Sequence, residues 1–212
     1  RIFQIGFNKC GTTSLHRFFF FNGLNSVHWE DGEIAVNFYA RLNRGEDPFT
    51  DYPDVVAFTD MMKVRGSLLE PYKSFEDIYR WYPDSYFILN TRNASDWIES
   101  RIRHGLARHY RSALGLPDDA SVRRYWLLEW YRHHANVLDF FPAMPEKLLV
   151  YDIDRDAPAK LARFLSPAWH LDPAFFGRHN RTGTRWGSSS YGAVAIRSAA
   201  ATRCSSAAPP ST

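Results

Sequence analysis

Strands alternating with helices along most of the chain predict an α/β protein, three layers deep, with a central parallel sheet between helices. Three observations carry this reading. Short apolar runs recur at Ile2–Phe7, Val55–Thr59, Ser85–Thr91 and Lys147–Asp152, each the length of a buried strand. Segments whose apolar residues keep helical spacing separate them. The 212 residues, 45% hydrophobic and 23% charged, suffice for one medium domain around one core.

The elements follow in order. After the first strand comes the turn Asn8-Lys9-Cys10-Gly11, and Thr12–Phe19 opens a helix that Asn22-Gly23 stops. Glu33–Asn43 reads as a second helix ending near Gly45, and the Val55–Thr59 strand ends at Asp60. Ser74–Tyr82 is helical until Pro83-Asp84 breaks it. Beyond the third strand, Asn93 is an N-cap with Asp96 three residues on, so a helix starts at Ala94. Trp97, Ile98, Ile102 and Leu106 keep its spacing. Val122, Trp126, Trp130 and Val137 mark a longer helix over Ala120–Phe140. Lys147–Asp152 is the fourth strand and Ala157–Leu165 the last helix. Residues 1–186 form the expected domain. Residues 187–212, with seven Ser, seven Ala and no acid, read as a disordered tail.

The net charge of +3 is unevenly spread. Residues 178–212 carry five Arg and no acid, which leaves 21 bases against 23 acids in residues 1–177. That near-neutral body argues against a nucleic-acid partner. No uncharged apolar run reaches bilayer length, so no membrane span is expected. Cys10 and Cys204 cannot make a disulfide framework, and neither lies at metal-ligand spacing; no metal is expected. The chain starts at Arg1, without a Met and inside an apolar run, which leaves room for an upstream segment. Localisation stays open, with the cytoplasm as the default expectation.

A strand, a glycine turn and a helix N-terminus together form an arrangement that collects anions. Backbone N–H groups of the first helical turn converge, and the helix dipole adds partial positive charge. Gly6 and Gly11 let the backbone approach a ligand, Thr12, Thr13 and Ser14 add hydroxyls, and Lys9 supplies the full charge. This is not a Walker A loop, because Gly11 is followed by Thr12 and the lysine precedes the glycine.

Gly6-Phe7-Asn8-Lys9-Cys10-Gly11-Thr12-Thr13-Ser14-Leu15 resembles the 5′-phosphosulfate loop of sulfotransferases that use 3′-phosphoadenylyl sulfate (PAPS). Arg92, at the end of a strand, and Ser100, eight residues later in the next helix, resemble that family's 3′-phosphate pair. Leu148–Tyr151 and the helix after it are similar to the family's last core strand and helix, so the resemblance spans about residues 2–181. Ala94 stands where the family usually has proline, and Arg178-His179-Asn180-Arg181 is only loosely similar to its closing phosphate loop. The resemblance implies a P-loop-like nucleotide-binding fold and sulfuryl transfer from PAPS, without a metal, to a small-molecule or glycan hydroxyl or amine. It also implies donor contacts from Lys9, Cys10, Gly11, Thr12, Thr13, Ser14, Arg92, Ser100 and Arg181, with Lys9 catalytic as well.

Sulfation of a hydroxyl needs a proton acceptor near the attacking oxygen. His28 ranks first, Asp60 second and Glu30 third, since all three fall where elements return to the sheet edge that carries the loop. A loop histidine packed on Trp29 is an equally simple account of His28. The remaining helical histidines, including His133 and His134, read as solvated, as does the basic face of residues 101–134; Tyr125, Trp126 and Trp130 read as core. Two further functions stay open: a small-molecule P-loop kinase with Asp152 as magnesium ligand, and a non-catalytic anion-binding module.

Overall fold

The computed structural model describes residues 1–177. Five strands form one all-parallel sheet: β1 (Ile2–Gln4), β2 (Ser26–His28), β3 (Ala57–Thr59), β4 (Tyr86–Thr91) and β5 (Leu148–Asp152), in the order β2-β3-β1-β4-β5. Registers such as Phe3 opposite both Phe58 and Phe87 keep large apolar residues in line across the sheet. Among the described residues, seven α-helices accompany the strands: α1 (Thr12–Phe21), α2 (Glu33–Leu42), α3 (Phe75–Trp81), α4 (Ala94–Arg103), α5 (Ala107–Leu114) and α6 (Asp119–Phe140) between strands, and α7 (Pro158–Leu165) after β5.

Side-chain alternation along the strands builds two cores. Ile2, Ala57, Ile88 and Leu149 pack with Leu15 and Phe18 of α1 and Leu161 of α7. Phe3, Phe58, Phe87 and Leu89 face the other way, onto Phe38 of α2, Ile78 of α3, Trp97 of α4 and Trp126 of α6. Helices therefore cover both faces of the sheet, and the three-layer α/β/α expectation holds.

Three local expectations need correction. Ser26–His28 is a fifth strand, paired with β3 at the sheet edge, where the sequence shows only a short mixed segment. The helix begun at Ala94, correctly capped by the Asn93 side chain on the N–H groups of Ser95 and Asp96, does not continue to Leu106. Gly105 at φ 75° turns the chain after Arg103, and α5 follows as a separate helix. The first strand also ends at Gln4, so Ile5–Phe7 already belong to the loop. Arg181 and the Ser/Ala-rich segment lie outside the described residues.

All five strands point their C-terminal ends to one edge, and the strand order reverses about β1. The loop after β1, His28 at the end of β2, Asp60 after β3 and Arg92 after β4 are consequently neighbours in space although distant in sequence.

Candidate functional site

The loop after β1 is shaped by what its carbonyl groups bond to. The Gln4 amide donates to Gly6 O (2.5 Å), and the Asn90 amide donates to Phe7 O (3.2 Å) and Cys10 O (2.8 Å). The Trp97 indole donates to Asn8 O (2.9 Å) and Arg92 to Lys9 O (3.3 Å). Five consecutive carbonyls are thus held by side chains of β1, β4, α4 and the connection between β4 and α4. Tying them down leaves the N–H groups as the free polar face of the loop. Among the described residues, no acceptor is bonded to the N–H of Cys10, Gly11 or Thr12. Helix α1, which starts there, has neither a side-chain cap nor an acid of its own in its first turn.

Two glycines permit this path for reasons other than ligand approach alone. A Cβ on Gly6 would run into the backbone and amide of Asn90. Gly11 adopts φ 78°, the left-handed region. Lys9 takes φ 63° without being glycine, a strained conformation that the surrounding hydrogen bonds hold in place.

Lys9 carries the loop's charge. Burial lowers its pKa, the carboxylate of Asp60 opposes that, and Arg103 and Arg92 add to the lowering. Asp60, itself at φ 54°, has its N–H bonded to the Gln4 amide oxygen (2.8 Å), so one amide ties both β1 and β3 ends together. Its Oδ1 is buried with no hydrogen-bond partner. Burial pushes the Asp60 carboxyl up to about 6, against Lys9, Arg101 and the Thr12 hydroxyl, which pull it down.

His28 stands 3.8 Å from Asp60, Nε2 to Oδ2. Its tautomer follows from its partners. The Thr59 hydroxyl donates to Val27 O (3.0 Å), so the same oxygen accepts from His28 Nδ1–H (3.0 Å). Nε2 therefore carries the lone pair and faces the Thr13 hydroxyl at 3.4 Å. Burial holds the imidazole down at about 4. At neutral pH the pair is a neutral imidazole beside a carboxylate. It has room for one proton.

The structure places the remaining candidates as follows. Arg92 lies close to the loop, 3.2 Å from Asp154, with its Nε buried and unbonded. Ser100 is buried on α4 rather than presented to solvent. Thr12 and Ser14 are buried in the first turn of α1. The Cys10 side chain sits in the core, where burial pushes its thiol up, so this residue offers only its backbone. Glu30 is exposed in a turn after β2, and its carboxylate makes no hydrogen bond or ion pair among the described residues. Asp152 accepts from Asp154 N–H (3.0 Å) and lies 3.7 Å from Arg155. No group of three His, Cys, Asp or Glu positioned to hold a metal occurs among the described residues.

Several residues differ from the sequence reading. His133 is buried and donates from Nε2 to Ile5 O (2.6 Å), while His134 bridges Trp130 O (2.8 Å) and the Thr91 hydroxyl (2.9 Å). Neither is a solvated helix histidine. Arg101 is not part of a basic surface either. Its guanidinium lies 4.5–4.8 Å from the ring centroids of Trp97, Tyr110 and Trp126, and donates to the Tyr110 hydroxyl (2.6 Å), which donates on to Glu70. Trp126 and Trp130 are core, as expected. Gln4 and Asn90 were missed as site residues. Their signal was present: each is an amide interrupting an apolar strand.

No protein-family model matches the chain, and no curated protein matches it.

Proposed function

We propose that this chain is a sulfotransferase on a P-loop-like fold, moving a sulfuryl group from PAPS to a hydroxyl or amine acceptor. One observation carries the reading: a loop with its carbonyls tied outward presents amides and Lys9 beside a histidine–carboxylate pair that lacks a proton. An anion-binding crown next to a base is what transfer of a negatively charged group to a hydroxyl requires.

PAPS supplies a sulfuryl group already activated on a phosphate oxygen. The residues present fit such a donor. The amides of Cys10, Gly11 and Thr12 would hold its 5′-phosphate, and Arg92, with an unbonded buried Nε, would meet a second anionic group. Lys9 would stabilise the bridging oxygen as its bond to sulfur breaks and the electron pair stays with the phosphate. His28 Nε2 would take the acceptor proton as the new bond to sulfur forms, with Asp60 stabilising the imidazolium. The strongest test is on Lys9. Lys9→Ala should cut turnover with PAPS by roughly 10²–10³ while affinity for the desulfated nucleotide, 3′-phosphoadenosine 5′-phosphate (PAP), falls less, because the contact strengthens in the transition state. A variant within a few-fold of the parent rate would remove Lys9 from the chemistry.

A further inference from the structure

Helix α6 is apolar on two opposite sides. Val122, Trp126, Trp130, His133 and Val137 face the core. On the outward side, Leu127, Leu128, Tyr131 and Leu138 are exposed, Leu128 and Tyr131 each at 64%. At helical spacing these four, with exposed Ala135, fall in one arc and run about 16 Å along the axis. The first stripe is covered by the core, whereas the second stays exposed among the described residues. The charges at the two ends of this arc are opposite. Arg124 lies at the N-terminal end, hydrogen-bonded to the Ser121 hydroxyl and within electrostatic reach of Asp118, and Asp139 at the C-terminal end has no hydrogen bond or ion pair among the described residues.

We propose that this face is the interface of a twofold homodimer in which α6 packs antiparallel against α6 of a second copy. The sequence of the stripe is complementary to its own reverse. Antiparallel pairing about a twofold beside Tyr131 sets Leu128 against Ala135 and Arg124 against Asp139, and Leu127 falls between Ala135 and Leu138 of the second copy. A parallel arrangement would instead oppose Arg124 to Arg124. A lipid surface is the poorer match, since it favours a rim of Lys and Arg rather than an acid at one end. One helix pair falls at the small end of specific interfaces, about 1,000 Å², so the dimer is reversible.

Sedimentation velocity on the full chain tests this over a roughly hundredfold concentration range. The expected result is a monomer–dimer equilibrium that Leu128→Glu with Tyr131→Glu abolishes at unchanged melting temperature. Arg124→Asp and Asp139→Arg should each weaken the dimer roughly tenfold, and the double reversal should restore it. A chain that remains monomeric throughout overturns the proposal. So does a double reversal that fails to restore association, or binding of the stripe to phosphatidylcholine vesicles in place of a second copy.

Discussion

Neutral His28 depends on two hydroxyls and on exclusion of water. Thr59 fixes the tautomer, Thr13 faces the lone pair, and Asp60 waits at 3.8 Å. In the proposed sulfuryl transfer, base function is lost when the pair takes up a proton, so activity should fall as pH drops through about 6, where Asp60 titrates. In Asp60→Asn that limb should move toward the His28 value of about 4, with a reduced rate. In His28→Gln the rate should fall by roughly 10²–10⁴ at every pH. A pH–rate profile of both variants checks this; a limb unmoved in Asp60→Asn would take Asp60 out of the pair. Asp60 was legible in the sequence because it ends the Val55–Thr59 strand at the loop's edge; His28 was a candidate only from its place after the first helix, since the strand that carries it did not show. His133 and Arg101 were not, since what buries them comes from remote elements: a loop carbonyl for one, three aromatic rings for the other.

The loop after β1 is an element whose shape is set by side chains elsewhere. Asn90 alone holds Phe7 O and Cys10 O and accepts from Gln4 (2.6 Å). Asn90→Ala should therefore lose about 2–4 kcal/mol of stability by stranding buried polar groups, measured by denaturant unfolding. It should also weaken anion binding, because freed carbonyls can rotate into the loop. Asn90→Ala with parental anion affinity would show that the outward carbonyls are incidental. The strand–turn–helix succession here was plain in the sequence, since long apolar runs and a glycine turn report themselves locally. β2 was not, having three residues of which only Val27 is apolar, and the break after α4 hung on the single Gly105. Which side chains tie the loop down is a tertiary fact, visible beforehand only as two amides out of place in apolar strands.

Among the described residues, burial lowers the pKa of six histidines, and of three of them most. His16, His28 and His133 are each pushed down to about 4, with desolvation the largest cause. A depressed histidine favours the folded state fully above its unfolded value of about 6.5, and that contribution is lost as pH falls toward 4. Asp60, raised to about 6, acts in the opposite sense between about 4 and 6, where the folded state holds its proton more tightly. Three groups outweigh one, so the melting temperature should decline from pH 7 to pH 5, and more steeply in Asp60→Asn. Calorimetric scans at several pH values check this; a melting temperature flat over that range would mean that these histidines are not buried as neutral rings. The layer architecture was legible at this scale from alternation of strands and helices. Sheet order was not, because nothing local states which strands become neighbours.

Nucleotide binding itself decides the account. Titration calorimetry of PAP into the full chain, with EDTA present, should give a single site. Arg92→Ala should weaken it by about 2–4 kcal/mol, as for loss of a charge-assisted contact. Asp154→Asn should tighten it a few-fold by removing the carboxylate now 3.2 Å from Arg92. Absence of PAP binding without metal, or PAP binding indifferent to Arg92→Ala, would contradict the assignment of this edge of the sheet as a sulfuryl-donor site.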